Sequence, residues 1–209
     1  MRISIIVGCA VLLAGQRAHA QDARLRSALD PETLAKVTRL TDSARAESLP
    51  IEPLVGVALE GAQRHAAGPR ITRAVQDYLV ALRGARAALG AEASPPEIVS
   101  GAGVLLAGIP GSVLKQIRSS QPHRSLTVPL VVLADLLARG VPKDTASHAI
   151  EAATRANARD EDFTALRRQV EQDIVAGASP ATATMLRVRN INGVPAAEPV
   201  APLPAVRRP

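Results

Sequence analysis

From Ile71 to Leu89 the apolar residues Ile71, Val75, Tyr78, Leu82, Ala85 and Leu89 recur at steps of 4, 3, 4, 3 and 4. That spacing keeps one stripe on one face of an α-helix, whereas a strand changes face at every residue. Arg73, Gln76 and Arg83 fall on the opposite face, and Gly90 is the expected C-terminal stop. The same grammar repeats along the chain, with prolines opening segments and glycines closing them.

Asp30-Pro31-Glu32 combines an N-cap acceptor, a proline at the first helical position and an acid in the first turn. It predicts a helix running to about Ser48 that buries Leu34, Val37 and Leu40, and Leu49-Pro50 ends it. A second helix from Pro53 presents Leu54, Val57, Ala58 and Gly61 and stops near Gly68-Pro69. Ser94-Pro95-Pro96-Glu97 caps the helix that follows Gly90, carrying Ile98, Val99, Ala102, Leu105 and Leu106. Further helices are predicted from Pro110, from Thr127 to Arg139 with Leu130, Val131, Leu133, Ala134 and Leu137, and from Pro142 to Ala156. One starting at Asp160 carries Phe163, Leu166, Val170 and Ile174, and one from Pro180 fades after Val188. No segment alternates like a strand. The predicted fold is all-α, an irregular array or bundle of about eight to nine short helices, with an α-solenoid as its alternative.

Two blocks resemble each other. Ala58-Leu59-Glu60-Gly61-Ala62-Gln63-Arg64 matches Ala149-Ile150-Glu151-Ala152-Ala153-Thr154-Arg155 at a separation of 91 residues, while the preceding prolines, Pro50 and Pro142, need one gap to align. In this alignment Glu60 and Glu151 correspond.

The ends read differently from the middle. Residues 1–20 have Arg2, an apolar run from Ile3 to Gly15 and Ala18-His19-Ala20, which together form an export signal cleaved after Ala20. The run is short of the roughly 20 residues a spanning helix needs. Ile6-Val7-Gly8-Cys9 resembles the lipobox of bacterial lipoproteins, but the apolar stretch runs on past Cys9. Processing after Ala20 would remove the one cysteine, and with it disulfides, thiolate chemistry and cysteine-based metal sites. Residues 21–192 are expected to form a single all-α domain, and 193–209, with five prolines, a Pro-rich flexible tail. The protein is therefore expected in the periplasm or outside the cell, and not transmembrane after processing. Ile98 to Leu114 and Leu126 to Ala134 are free of charge, and are expected to form the centre of the array as buried soluble helices.

Composition excludes some functions. With Tyr78 and Phe163 as the only aromatic residues, the chain has no platform for stacking nucleobases, and sequence-specific nucleic-acid recognition is not expected. The pI near 10.6 suggests a polyanion partner. However, 22 of the 25 basic residues are Arg and 39 residues are Ala, as GC-rich coding alone would produce. Arg64, Arg70 and Arg73, with His65, cluster around the turn before the third helix, whose N-terminus faces the same turn, and are the candidate anion-binding residues.

Catalytic, cofactor and metal sites are all expected to be absent. His65, His123 and His148 lack a second imidazole at the spacing that shares a metal. Asp144, four residues before His148, reads as a surface partner. Asp160-Glu161-Asp162 resembles the start of a calcium loop, but Ala165 stands where that loop needs glycine, so the acids read as the start of a helix with Asp160 as its cap. Gly101-Ala102-Gly103 and Gly108 fail as a dinucleotide loop because no strand precedes them. The expected function is a non-catalytic interaction or scaffold domain with a protein partner. The alternatives are binding of an anionic envelope polymer through the basic turn, and a hydrolase whose site is hidden in the sequence, with Glu60 and Glu151 as the paired carboxylates that could do acid–base work.

Overall fold

The computed structural model describes residues 23–191; the segments expected to be an export signal, with the lipobox-like Cys9, and a Pro-rich tail lie outside these. Every regular element among the described residues is an α-helix. Residues 23–28 form α1, followed by α2 (Pro31–Ala46), α3 (Glu52–Gln63), α4 (Gly68–Leu89), α5 (Pro95–Leu106), α6 (Gly111–Ser120), α7 (Thr127–Ala138), α8 (Lys143–Arg155), α9 (Asp160–Val175) and α10 (Pro180–Ile191).

The helix ends follow the sequence signals closely. Asp30 accepts hydrogen bonds from the backbone of Glu32 (3.1 Å) and Thr33 (3.0 Å), satisfying amides that the first turn leaves unpaired. The Glu97 carboxylate accepts from both the backbone and the hydroxyl of Ser94 at 2.8 Å. At α9 the cap differs from expectation. The N-cap is Arg159, whose backbone N–H donates to Asp162 at 2.8 Å, so Asp162 rather than Asp160 holds this end.

The described helices pack as two compact units that divide between Leu106 and Ala107. In the first unit the long helix α4 packs against α2, α3 and α5. Its buried stripe is Ile71, Val75, Leu79, Leu82, Ala85 and Leu89, with Tyr78 only half-buried and Leu79 inside instead. Two glycines allow these helices to approach. A Cβ on Gly61 would come within 2.8 Å of Ile71 Cγ1, and one on Gly84 within 3.0 Å of Leu105 Cδ1. Across α2 and α4, Arg83 Nε donates to Glu47 at 2.8 Å and its Nη2 to Ser43 at 2.9 Å, which holds the Glu47 carboxyl below its usual pKa.

In the second unit α8 touches α6 and α10, and α7 touches α9, so each helix meets the next but one in sequence. This is the stacking by which helical arrays grow. Leu130, Val132, Leu133 and Leu136 of α7 are buried against α8 and α9, but Val131 faces outward at 40% exposure. Charge links the helices at their rims. Arg167 donates to Asp135 at 2.9 Å, and Arg187 forms a two-pronged pair with Asp173 at 2.7 and 2.6 Å, which depresses the Asp173 pKa. The charge-free run 98–114 falls across two helices, as the helix end at Leu106 and the start at Pro110 expected from the sequence require. It is split into the end of α5, a turn in which Gly108 has φ +85°, and the start of α6, and Leu106 is 48% exposed.

The two similar blocks occupy α3 in the first unit and α8 in the second. Around them the helix ends match at a constant separation. The C-caps Glu47 and Arg139, the left-handed residues Ser48 and Gly140, the left-handed His65 and Asn157, and the N-caps Ala67 and Arg159 are all 92 residues apart. Pro50 and Pro142 share that separation. The backbone frame of α2–α3–α4 thus recurs in α7–α8–α9, one residue out of step with the amino-acid match. One residue is a rotation of about 100° around a helix, so Glu60 and Glu151 do not occupy equivalent positions.

Candidate functional site

The basic turn between α3 and α4 holds Arg64, His65, Arg70 and Arg73, all exposed. Two of the arginines are already engaged. Arg64 pairs with Glu60 at 2.7 Å and Arg73 with Asp77 at 3.4 Å, one helical turn away in each case. The N-terminus of α4 is also not open to an outside anion on all sides. A Cβ on Gly68 would lie 2.0 Å from Thr33 Oγ1 and 3.2 Å from Asp30 Oδ2, so an internal carboxylate stands beside that helix end. Hydrogen bonds from Thr33, its side chain first, hold the Asp30 carboxyl below the usual carboxylate pKa. Changing Arg64, Arg70 and Arg73 together to Ser should leave the melting temperature nearly unchanged, because exposed pairs contribute about 0–1 kcal/mol each. If the turn binds an anionic polymer, the same change should flatten the salt dependence of binding. Identical salt slopes for both proteins would remove this surface from consideration.

Glu60 and Glu151 belong to different units, and each pairs with the arginine four residues later, Arg64 and Arg155. His65 is a helix-ending residue in the left-handed region at φ +53°, and His123 is exposed in the turn between α6 and α7. That turn is built by Arg118, whose guanidinium donates to the carbonyls of Gln121, Pro122 and Arg124. Among the described residues no group of three or more His, Cys, Asp or Glu could hold a metal ion.

The remaining histidine stands in a different setting. His148 and Asp144, one turn apart on α8, line two furrows of the second unit. The first furrow, about 430 Å³, runs between α8 and α10. Its floor is Ala149, Met185 and Val188, and Arg189 stands at its rim. Met185 is 53% exposed, a large apolar side chain on the last described helix. The second furrow, about 260 Å³, lies between the entry to α6 and the first two turns of α8. Ile109, Pro110 and Val113 form one wall, and Lys143, Ser147 and Glu151 of α8 the other.

These residues share one face because positions 143/144, 147/148 and 151 are successive turns of a helix. About half of the charged residues among those described form ion pairs with each other, but Lys143, Asp144, His148 and Arg189 have no hydrogen-bond or ion-pair partner among the described residues. The pairing of Asp144 with His148 expected from the sequence is not made, and both project to the furrows instead. Sequence reasoning missed Met185, Val188, Arg189, Lys143 and Ser147. The signal available for α8 was its four-residue stripe, while α10 supplied none until its partner helix was known. Compared with known proteins, the chain matches no family model, no curated protein and no solved structure.

Proposed function

We propose that the protein is an exported, non-catalytic interaction module, and that its binding face is the row α6, α8 and α10 of the second unit. One observation carries this reading: the exposed apolar side chain of Met185 stands with buried Ala149 and Val188 in a furrow beside Asp144, His148 and Arg189, none of which has a partner among the described residues. Apolar surface with a rim of polar groups is the usual anatomy of a protein-binding patch. A segment of a protein partner that fills the furrow would cover Met185 and offer its own polar atoms to the rim. The periplasmic or extracellular address rests on the sequence of residues 1–20.

The test is affinity capture from the native envelope with wild-type protein, a Met185→Glu variant and a Val80→Glu control. Val80 is a 58% exposed apolar residue of the first unit. A partner retained by wild type and by Val80→Glu but lost with Met185→Glu supports the reading. Capture that does not depend on Met185 overturns it.

A further inference from the structure

The second furrow supports a more specific statement, which rests on the interaction reading and refines it. We propose that the furrow between the start of α6 and α8 receives a cationic side chain of the partner, the ammonium of a lysine or the guanidinium of an arginine.

The Glu151 side chain is only 13% exposed, and the nearest cation, Arg155 Nη2, is 3.9 Å away, beyond hydrogen-bond reach. No hydrogen bond to its carboxylate is made among the described residues. Ser147, one turn earlier, is 8% exposed, and its hydroxyl also has no partner among the described residues. Asp144 and His148 add two more acceptors on the same stripe. A carboxylate and a hydroxyl that open to the furrow without a hydrogen bond from the protein can each accept one from a ligand bringing N–H groups. A charged donor serves best, since hydrogen bonds between ionised groups are about twice as strong as neutral ones.

The opposite wall fits the rest of such a side chain. Ile109, Pro110 and Val113 are apolar, and Ile109 is itself buried, so they can pack against the methylene stem while the head reaches α8. At about 260 Å³ the furrow suits one long side chain. Lys143 is the only cation in it. Its ammonium lies against Gly108, 2.3 Å from where a Cβ there would stand. Lys143 precedes Glu151 by eight residues, about 12 Å along a helix axis. The furrow thus carries Lys143 and Asp144 toward the start of α8, and Ser147 and Glu151 one and two turns further along it. An incoming cation is attracted by the Asp144 and Glu151 carboxylates and repelled by Lys143.

This charge distribution makes the test decisive. Full-length ¹⁵N-labelled protein is titrated with N-acetyl-L-lysine methylamide and with its uncharged analogue N-acetyl-L-norleucine methylamide, following amide shifts by NMR. The lysine compound should shift the resonances of Val113, Ser147 and Glu151, and the norleucine compound should bind at least about tenfold more weakly. Glu151→Gln should weaken the lysine compound about fivefold or more, Ser147→Ala less, and Lys143→Gln should strengthen it. Circular dichroism checks that each variant folds; if Glu151→Gln does not, Lys143→Gln and Ser147→Ala decide. Equal binding of both compounds overturns the proposal. So does loss of binding in Lys143→Gln, which would mark the furrow as an anion site. These results are independent of Met185, in the other furrow. Partner capture that depends on Met185 without discrimination between the two compounds would overturn this proposal and leave the interaction reading standing.

Discussion

Leu133→Asp is expected to abolish cooperative folding of the second unit. Leu133 has no exposed surface, and its neighbours along α7, Leu130 and Leu136, have none either. The helix packs against both α8 and α9, so a carboxylate at this position meets side chains on every side. An ionised group in such a place has neither water nor a partner, and its burial costs more than the whole stability of a small unit, about 5–15 kcal/mol, can offset. Val131→Asp is the control. It changes the same helix two residues away, but Val131 is 40% exposed, and such surface changes shift stability by about 0.5 kcal/mol. Far-ultraviolet dichroism during thermal melting should show one transition lost in Leu133→Asp and both proteins alike in Val131→Asp. No described helix is long and apolar enough to cross a membrane, and α7, at 12 residues, is about 18 Å long against a hydrocarbon core of about 30 Å. Unfolding by both substitutions, or by neither, would show that α7 is not packed as described.

The contrast between Leu133 and Val131 also shows where sequence reasoning succeeds and where it stops. Helix ends were legible because their causes are local: Asp30 caps α2 with its own carboxylate, Gly90 ends α4, and Pro142 precedes α8. The buried face of α4 was largely legible because Arg73, Gln76 and Arg83 mark its outside. From Leu130 to Leu137, Asp135 is the only polar residue, so no period marks the core face, and the choice of Val132 over Val131 is made by α8 and α9. In α2 the buried stripe is Thr33, Val37, Thr41 and Ala44, leaving Leu34 and Leu40 half-buried. Two threonines stand where a reading by hydrophobicity expects leucines. The two units divide between Leu106 and Ala107, next to the turn in which Gly108 is left-handed, a break that Pro110 already signals in the sequence. Asp144, His148 and Glu151 were noted in the sequence, but their common setting depends on Ile109 to Val113, a segment more than 30 residues earlier in the chain. Only tertiary packing brings those stretches together.

Gly68→Ala carries the second large effect, and it runs against the usual rule. A glycine in a helix normally gains about 1 kcal/mol when replaced by alanine, through the smaller entropy lost on folding. Gly68 is the first residue of α4, and sequence reading takes it only as the end of the preceding segment. Its Cα faces α2 so closely that a new Cβ would stand 2.0 Å from Thr33 Oγ1, a separation at which something must move. Thr33 cannot yield as a long side chain could. It is short, β-branched and 4% exposed, and its backbone N–H is one of the two donors to Asp30. Asp30 Oδ2 would be 3.2 Å from the same Cβ, so relaxing the contact disturbs the cap of α2 as well. Overpacking of this kind costs about 1–3 kcal/mol, and the expected sign is therefore destabilising. The double variant Gly68→Ala/Thr33→Ala should recover much of the loss relative to Gly68→Ala alone, because removing Oγ1 removes the closest contact, and residues in contact couple in this way. Chemical denaturation of the four proteins measures that coupling. A stabilising Gly68→Ala, or strict additivity of the two changes, would show that α2 and α4 do not meet at Thr33 and Gly68.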